Sequence, residues 1–217
     1  MSTRKRVGVL ISGRGSNLQS LIDASRAADY PAEIALVISN RPGALGLERA
    51  SQADISALTI DHKTYPSREA FDADLDRALR DAGVEIICNA GFMRLLTDGF
   101  VEAWRDRQLN IHPSLLPAFR GLRPQQQALI AGVCVSGATV HFVRAEMDAG
   151  PIVAQAVVPV LAGDNEETLS ARILAAEHRL YPHALKLVAS GDAWVEGESV
   201  RYRNGHVTRL LPPGDGG

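Results

Sequence analysis

The chain reads as an α/β protein with a mostly parallel central sheet and helices on both faces. Short continuous apolar runs, such as Val7-Gly-Val-Leu-Ile11 and Val84–Ala90, have the composition of strands covered on both sides. Amphipathic stretches separate them through the first half, and strands that alternate with helices order themselves in parallel through right-handed crossovers. A length of 217 residues is enough to bury a sizeable core.

Taken in order, Val7–Ser12 is the first strand and Asn17–Ala28 the first helix, with Leu18, Leu21 and Ile22 on one side. Glu33–Ser39 is a strand bounded by Pro31 and the turn Asn40-Arg-Pro-Gly43. A helix over Ala44–Ala53, a strand over Ile55–Ile60 and a helix over Ser67–Ala82 follow, the last opened by Ser67 as N-cap. Val84–Ala90 is the fourth strand, and Thr97 caps a helix that runs to Arg107. The second half changes character. Leu109–His112 is a short strand stopped by Pro113, which has no N–H for a ladder and disfavours helix at the residue before it. Pro124–Ala131 is helical, Gly137–Val143 and Pro151–Val160 are strands, and Glu166–Ser190 is a long helix bent near Pro182. Trp194–Leu211 holds two short strands around Asn204-Gly205, a dipeptide suited to a hairpin turn. Without repeats or low-complexity linkers, residues 1–217 read as a single domain with halves of about 1–108 and 109–217.

The net charge is −2 and lysine occurs only at Lys5, Lys63 and Lys186, so no general basic field points to nucleic acid. The apolar run Val7–Ser12 is far too short for a secretion signal or a membrane span. Cys88 and Cys134 sit in apolar surroundings and read as buried or half-buried thiols, not as a disulfide or a metal pair. A cytoplasmic protein acting on small molecules is expected, with no membrane, nucleic-acid or metal partner, and with a homodimer as the assembly to consider.

Chemistry concentrates in Asn110-Ile-His112-Pro-Ser-Leu-Leu-Pro117 and, further on, Met147-Asp148-Ala-Gly150-Pro151. In an extended segment the spacing Asn-x-His puts both polar side chains on one face. Histidine moves protons near neutral pH, an asparagine NH₂ donates to a developing oxyanion, and an adjacent aspartate orients the imidazole and favours its charged form. Together they suit attack on a carbonyl. No serine or cysteine lies in a nucleophile-elbow context, so the attacking group belongs to a substrate. On the residues alone, Asn110 and His112 serve equally as turn-capping groups, and Asp148 as the head of an Asx-turn.

The first strand runs into Ser12-Gly-Arg-Gly-Ser-Asn17 and then a helix. Glycines permit close backbone approach, and the helix start offers free N–H groups to a phosphate. Leu18 breaks the dinucleotide spacing and no Gly-Lys-Ser/Thr follows, so a monophosphate fits better than a dinucleotide. Ser16 and Asn17 either cap the helix or meet the ligand.

The ordered set Ile11–Leu18, Ser39-Asn-Arg41, Gly46–Ala50, Ser67-Arg-Glu69, Ala90–Arg94, Asn110–Pro117, Thr139–Val143, Asp148–Pro151, Glu177-His178 and Tyr181-Pro182 resembles the phosphoribosylglycinamide formyltransferase family of folate-dependent enzymes. The resemblance implies a Rossmann-like formyltransferase fold. It also implies transfer of the formyl group of 10-formyltetrahydrofolate, as co-substrate, to the amine of glycinamide ribonucleotide in purine synthesis. Asn110, His112 and Asp148 correspond to the catalytic set. Gly15, Ser16, Asn17 and Glu177 correspond to the nucleotide site. Arg68, Met93, Arg94, Leu95, Leu96, Asn110, Val143 and Arg144 correspond to the folate site. The first half then holds the nucleotide phosphate and the second carries the catalytic and folate residues.

Each residue also has a plainer reading: Arg68 as a solvated helix start, Leu95 and Leu96 as core, Glu177 as a solvated face, His141 as a satisfied core histidine, His178 and His183 as structural, His62 and His206 as surface. Arg120-Gly-Leu-Arg-Pro-Gln-Gln-Gln127 departs from the family wording toward methionyl-tRNA formyltransferases, and Leu174 stands where a polar group often approaches the nucleotide. The alternative function is another user of 10-formyltetrahydrofolate, either a tRNA formyltransferase or a hydrolase. A tRNA enzyme calls for a further basic C-terminal domain, and a hydrolase for an N-terminal regulatory one.

Overall fold

A computed structural model describes residues 4–203 and the backbone of Arg209–Leu210. The chain forms two compact units, Met1–Asn110 and Ile111–Gly217.

In the first unit, β1 (Lys5–Ile11), β2 (Ala32–Ser39), β3 (Ala57–Thr59) and β4 (Ile86–Asn89) are parallel, and β5 (Gln108–His112) pairs parallel with β4 through Ile87↔Gln108 to Asn89↔Asn110. The strands lie in the order β5-β4-β1-β2-β3. Helix α1 (Ser16–Ser25) follows β1, α2 (Leu45–Gln52) follows β2, α3 (Arg68–Asp81) follows β3, and α4 (Asp98–Ala103) follows β4. Alternation along the strands divides the side chains. Leu10, Leu36, Ile38 and Ile87 join Phe71, Leu75 and Leu79 of α3 and Phe100 of α4 in one buried cluster. Val9, Ile11 and Val37 point to the opposite face, where Ile11 approaches Gly46 of α2. Trp104 closes the α4 side, with the guanidiniums of Arg80 and Arg107 at 5.3 and 4.7 Å from its ring.

The sequence expectations hold for these elements with shifted ends: β1, α1 and β2 begin one or two residues early, and most elements stop sooner. Ser67 caps α3 by accepting from Ala70 N, and Thr97 caps α4 by accepting from Phe100 N. The third strand keeps only Ala57–Thr59, because the next residues turn into a one-turn 3-10 helix, His62–Thr64. That turn is capped by Asp61, whose side chain accepts from Lys63 N.

In the second unit, β6 (Val135–Phe142) and β7 (Ile152–Pro159) are antiparallel, with a register shift between Val140 and His141. Short β10 (Arg209–Leu210) pairs parallel with β7. Helix α5 (Pro124–Ala131) has proline at its start, and α6 (Glu166–Ala189) packs on β6 and β7. Asn165 and Thr168 close a capping box on α6, satisfying donors at both ends of its first turn. Arg172 grips the Asp164 carboxylate through two bonds of 2.7 and 2.9 Å and holds it well below the usual carboxylate range.

The hairpin described is β8 (Ala193–Glu196) with β9 (Ser199–Tyr202), turning at Gly197, where φ is 63°. The expected turn at Asn204-Gly205 lies outside the described residues, as does His206. Two expectations change. Cys88 is buried in β4, but Cys134 is exposed: it precedes β6, where the strand still runs over the surface. His62 is not a free surface residue. It is half-buried, with Nδ1 2.9 Å from the Asn40 carbonyl oxygen and its ring edge-on to Phe71.

Candidate active site

Strand β5 carries Asn110 and His112 two positions apart, hence on the same face. Pro113 ends the strand, and the chain then folds back through Ser114 and Leu115. That loop is tied down inside the second unit: Leu116 N donates to Thr139 Oγ1 at 3.0 Å, and Thr139 donates to Ser114 O at 2.7 Å. Gln155 of β7 adds bonds to Leu116 O and Thr139.

His112 is 6% exposed and both ring nitrogens face acceptors. Nε2 is 2.9 Å from Phe119 O, and Nδ1 is 3.4 Å from Asp148 Oδ2. Both partners are acceptors, a carbonyl oxygen on the Nε2 side and a carboxylate oxygen on the Nδ1 side. Asp148 Oδ2 also accepts from Gly121 N at 2.9 Å.

Asp148 stands in the left-handed backbone region at φ 53°, as do Phe119 at 56° and Arg123 at 53°. Such residues cost energy that the surroundings must supply, and they gather where geometry matters. Two residues on, Gly150 explains the Asp-Ala-Gly-Pro wording: a Cβ there would run into the Phe142 carbonyl oxygen.

His141 is the residue the sequence reading undervalued. It is core, at 2% exposed, yet Nε2 lies 3.8 Å from Asp148 Oδ1, so the carboxylate stands between two imidazoles. Burial pushes the His141 imidazole below its ordinary value, against the opposing pull of the Phe142 carbonyl and of Asp148. Its neutral ring donates through Nδ1 to Phe142 O at 3.0 Å. The β-bulge between Val140 and His141 re-aims this side chain, and only an unusual local register in β6 signals it.

In the first unit, the loop after β1 has Gly15 as N-cap of α1, at φ 70° and with no side-chain cap. Ser16 and Asn17 therefore open the helix without capping it, and a helix start has N–H groups with no intrahelical partner. Gly46 of α2 holds the loop, its N–H donating to Gly13 O at 3.0 Å, while Arg49 reaches Arg14 O at 2.9 Å. Asn17 is 9% exposed. In the other unit, Glu177 is a buried carboxylate of α6 at 6% exposed, not a solvated face. Leu174, on the same helix, is half-buried.

Arg68 is exposed at the first position of α3. The stretch from Gly91 to Leu96 is irregular, so its side chains diverge. Met93 is 70% exposed and Leu95 60%, which corrects the expectation that Leu95 packs in the core. Leu96 is half-buried against the first unit's cluster. Arg94 lays its guanidinium over Phe71 at 4.8 Å, and Met93 N donates to Ser12 Oγ at 2.7 Å. In the second unit, Val143 is half-buried. Arg144 is committed to the hairpin: Nε pairs with Glu198 at 2.9 Å and Nη1 donates to Val143 O at 3.1 Å. Among the described residues no cluster of His, Cys, Asp and Glu is placed to hold a metal ion, and no helix is long and apolar enough to cross a membrane.

Residues 5–185 match the family model described as formyl transferase. The trifunctional purine biosynthetic protein adenosine-3 of Drosophila pseudoobscura pseudoobscura is 60% identical over 190 residues, covering 87% of this chain and 14% of that protein. The chain thus spans about one-seventh of that relative's length. The phosphoribosylglycinamide formyltransferase of Escherichia coli K12 is 43% identical over 197 residues, with 88% of this chain and 93% of that one covered. The crystal structure of glycinamide ribonucleotide transformylase 1 from Symbiobacterium toebii superposes with a TM-score of 0.89 at 54% identity, covering 92% and 94% of the two chains. The expected Rossmann-like fold is therefore the fold of this protein, and the chain belongs to the formyl transferase family.

Proposed function

We propose that this protein transfers the formyl group of 10-formyltetrahydrofolate to the amine of N1-(5-phospho-D-ribosyl)glycinamide, giving the N-formyl nucleotide and tetrahydrofolate in de novo purine synthesis. The observation that carries the reading is the imidazole of His112, held between Phe119 O and Asp148 beside an asparagine on the same strand face. The family's reaction needs a proton donor and an oxyanion donor, and no enzyme nucleophile.

The substrate amine attacks the formyl carbon, forming the new C–N bond. Asn110 NH₂ donates to the oxygen as it gains charge, and His112 reaches it through Nε2 once that nitrogen leaves the Phe119 carbonyl oxygen. Collapse breaks the bond to the folate nitrogen, and the proton lost by the amine passes to that nitrogen. Asp148 keeps the His112 ring oriented from the Nδ1 side, and the buried His141 ring walls the far side of that carboxylate from water.

The N–H groups opening α1 with Gly15, Ser16 and Asn17 take the nucleotide phosphate, and Glu177 takes the ribose hydroxyls. Arg68, Arg94 and the exposed Met93 and Leu95 suit a ligand with an apolar ring system and a carboxylate tail, with Leu96, Val143 and Arg144 supporting the folate side. The protein works in the cytoplasm on small molecules.

The test offers purified protein and 10-formyltetrahydrofolate three acceptors: glycinamide ribonucleotide, charged initiator tRNA, and water. Turnover with the nucleotide at least a hundredfold above the other two is expected. Faster formylation of the tRNA, or hydrolysis as the main reaction, would reverse the assignment.

A further inference from the structure

We propose that the cleft at the carboxyl ends of β2 and β3 is an anion-binding subsite, formed by Arg41, His62 and Lys63, for a small ligand carrying several carboxylate or phosphate groups. The cleft measures about 440 Å³ and is lined by Arg41, Pro42, Asp61, His62 and Lys63. Arg41 lies just beyond the end of β2, and Lys63 lies in the 3-10 turn that follows β3. Crevices outside the carboxyl ends of strands are where open parallel sheets hold ligands. None of these residues takes part in the formyl transfer proposed above.

The charge balance favours an anion. Arg41 and Lys63 are exposed, and among the described residues neither has a carboxylate within ion-pair distance. The carboxylate in the lining, Asp61, is committed to the turn it caps: Oδ1 accepts Lys63 N at 3.0 Å and stands 3.8 Å from His62 Nδ1. His62 donates through Nδ1 to Asn40 O at 2.9 Å, which leaves Nε2 as the ring nitrogen without a hydrogen bond among the described residues.

The frame behind these groups is fixed before any ligand arrives. Ser39 Oγ accepts Arg41 N at 3.1 Å and donates to Arg41 O at 2.7 Å, locking the turn after β2. Asn40 is 1% exposed, and its Oδ1 accepts Ser12 Oγ at 2.6 Å. His62 rests edge-on to Phe71 with ring centroids 6.4 Å apart. Fixed donors reduce the ordering cost of binding. The cleft is larger than a single phosphate or carboxylate requires and falls in the usual size range of small-molecule sites. That size points to several anionic groups on a short chain, either a free polyphosphate or an oligo-γ-glutamate.

Isothermal titration of the whole protein with pyrophosphate, and separately with tri-γ-glutamate, tests this, alongside the double variant Arg41→Gln/Lys63→Gln. Removing two charge-assisted contacts should weaken the bound probe by about a hundredfold, at roughly tenfold per contact. The tighter of the two probes identifies the natural source. Both substituted side chains are exposed, so melting temperature and formyl transfer should stay at wild-type values, which separates this outcome from misfolding and from failure of the formyl-transfer reading. The proposal falls if neither probe binds the wild type, or if the double variant binds as well as the wild type.

Discussion

Asp148 Oδ2 stands 3.4 Å from Nδ1 of His112 and accepts the Gly121 N–H at 2.9 Å. The carboxylate therefore serves Gly121 and His112, not the turn in which Asp148 itself sits. Asp148→Asn keeps the shape and leaves an amide oxygen for Gly121 N, but removes the negative charge beside the His112 ring. Turnover should fall by roughly 10²-fold or more, with nucleotide affinity within a few-fold of wild type. Steady-state kinetics with a separate binding titration check this; unchanged kcat would make Asp148 a structural residue.

Gly15 is a backbone position before it is a ligand contact. At φ 70° it strains any L side chain, and an added Cβ would lie 2.7 Å from Gly46 Cα. Gly15→Ala should cost about 1–3 kcal/mol of stability. Gly13, with nothing within 4 Å of an added Cβ, should tolerate alanine. Urea denaturation of both variants distinguishes them, and equal stabilities would mean that the loop relaxes away from α2.

His141 makes the protein acid-sensitive. Its folded value lies below the ordinary 6.5, so as pH falls the unfolded chain takes up the proton first. The contribution is fully present above that unfolded value and is lost as pH falls toward the folded one. His183, lowered by burial and by Lys186, acts in the same direction. As pH falls below the ordinary imidazole value, His141→Asn should lose less stability than the wild type, measured by urea denaturation across that range. Parallel curves for the two proteins would remove His141 from the acid response.

The thiols differ in access. Cys134 is exposed and Cys88 is buried in β4. A thiol reagent should label one cysteine at once in the native protein and the second only after denaturation. Rapid labelling of both would mean that β4 opens readily.

The parallel half was legible because short apolar runs mark its strands and α3 and α4 carry start signals in Ser67 and Thr97. Asn110, His112 and Asp148 stood out through the resemblance of Asn110–Pro117 and Asp148–Pro151 to the family's motifs, since on the residues alone they read equally as turn groups. What stayed hidden depends on long-range geometry. Pairing of Asp148 with two imidazoles arises from a bulge in β6 and from the return of the 113–121 loop, neither of which has a local signature. Cys134 was misplaced because an apolar neighbourhood in sequence does not say where a strand meets the surface. The exposure of Leu95 follows from an irregular backbone that periodicity does not describe. The turn at Gly197 carried no local signal that was read, and the one expected at Asn204-Gly205 lies outside the described residues.

The central claim is that His112 performs chemistry and does not merely hold the loop through Phe119. The direct measurement is kcat of His112→Ala with glycinamide ribonucleotide and 10-formyltetrahydrofolate, beside the nucleotide Kd of the same variant. The account predicts a fall in kcat on the order of 10²–10⁴-fold with the Kd within about threefold, because the phosphate loop belongs to α1 and not to β5. Turnover near wild type in a folded His112→Ala protein would contradict it.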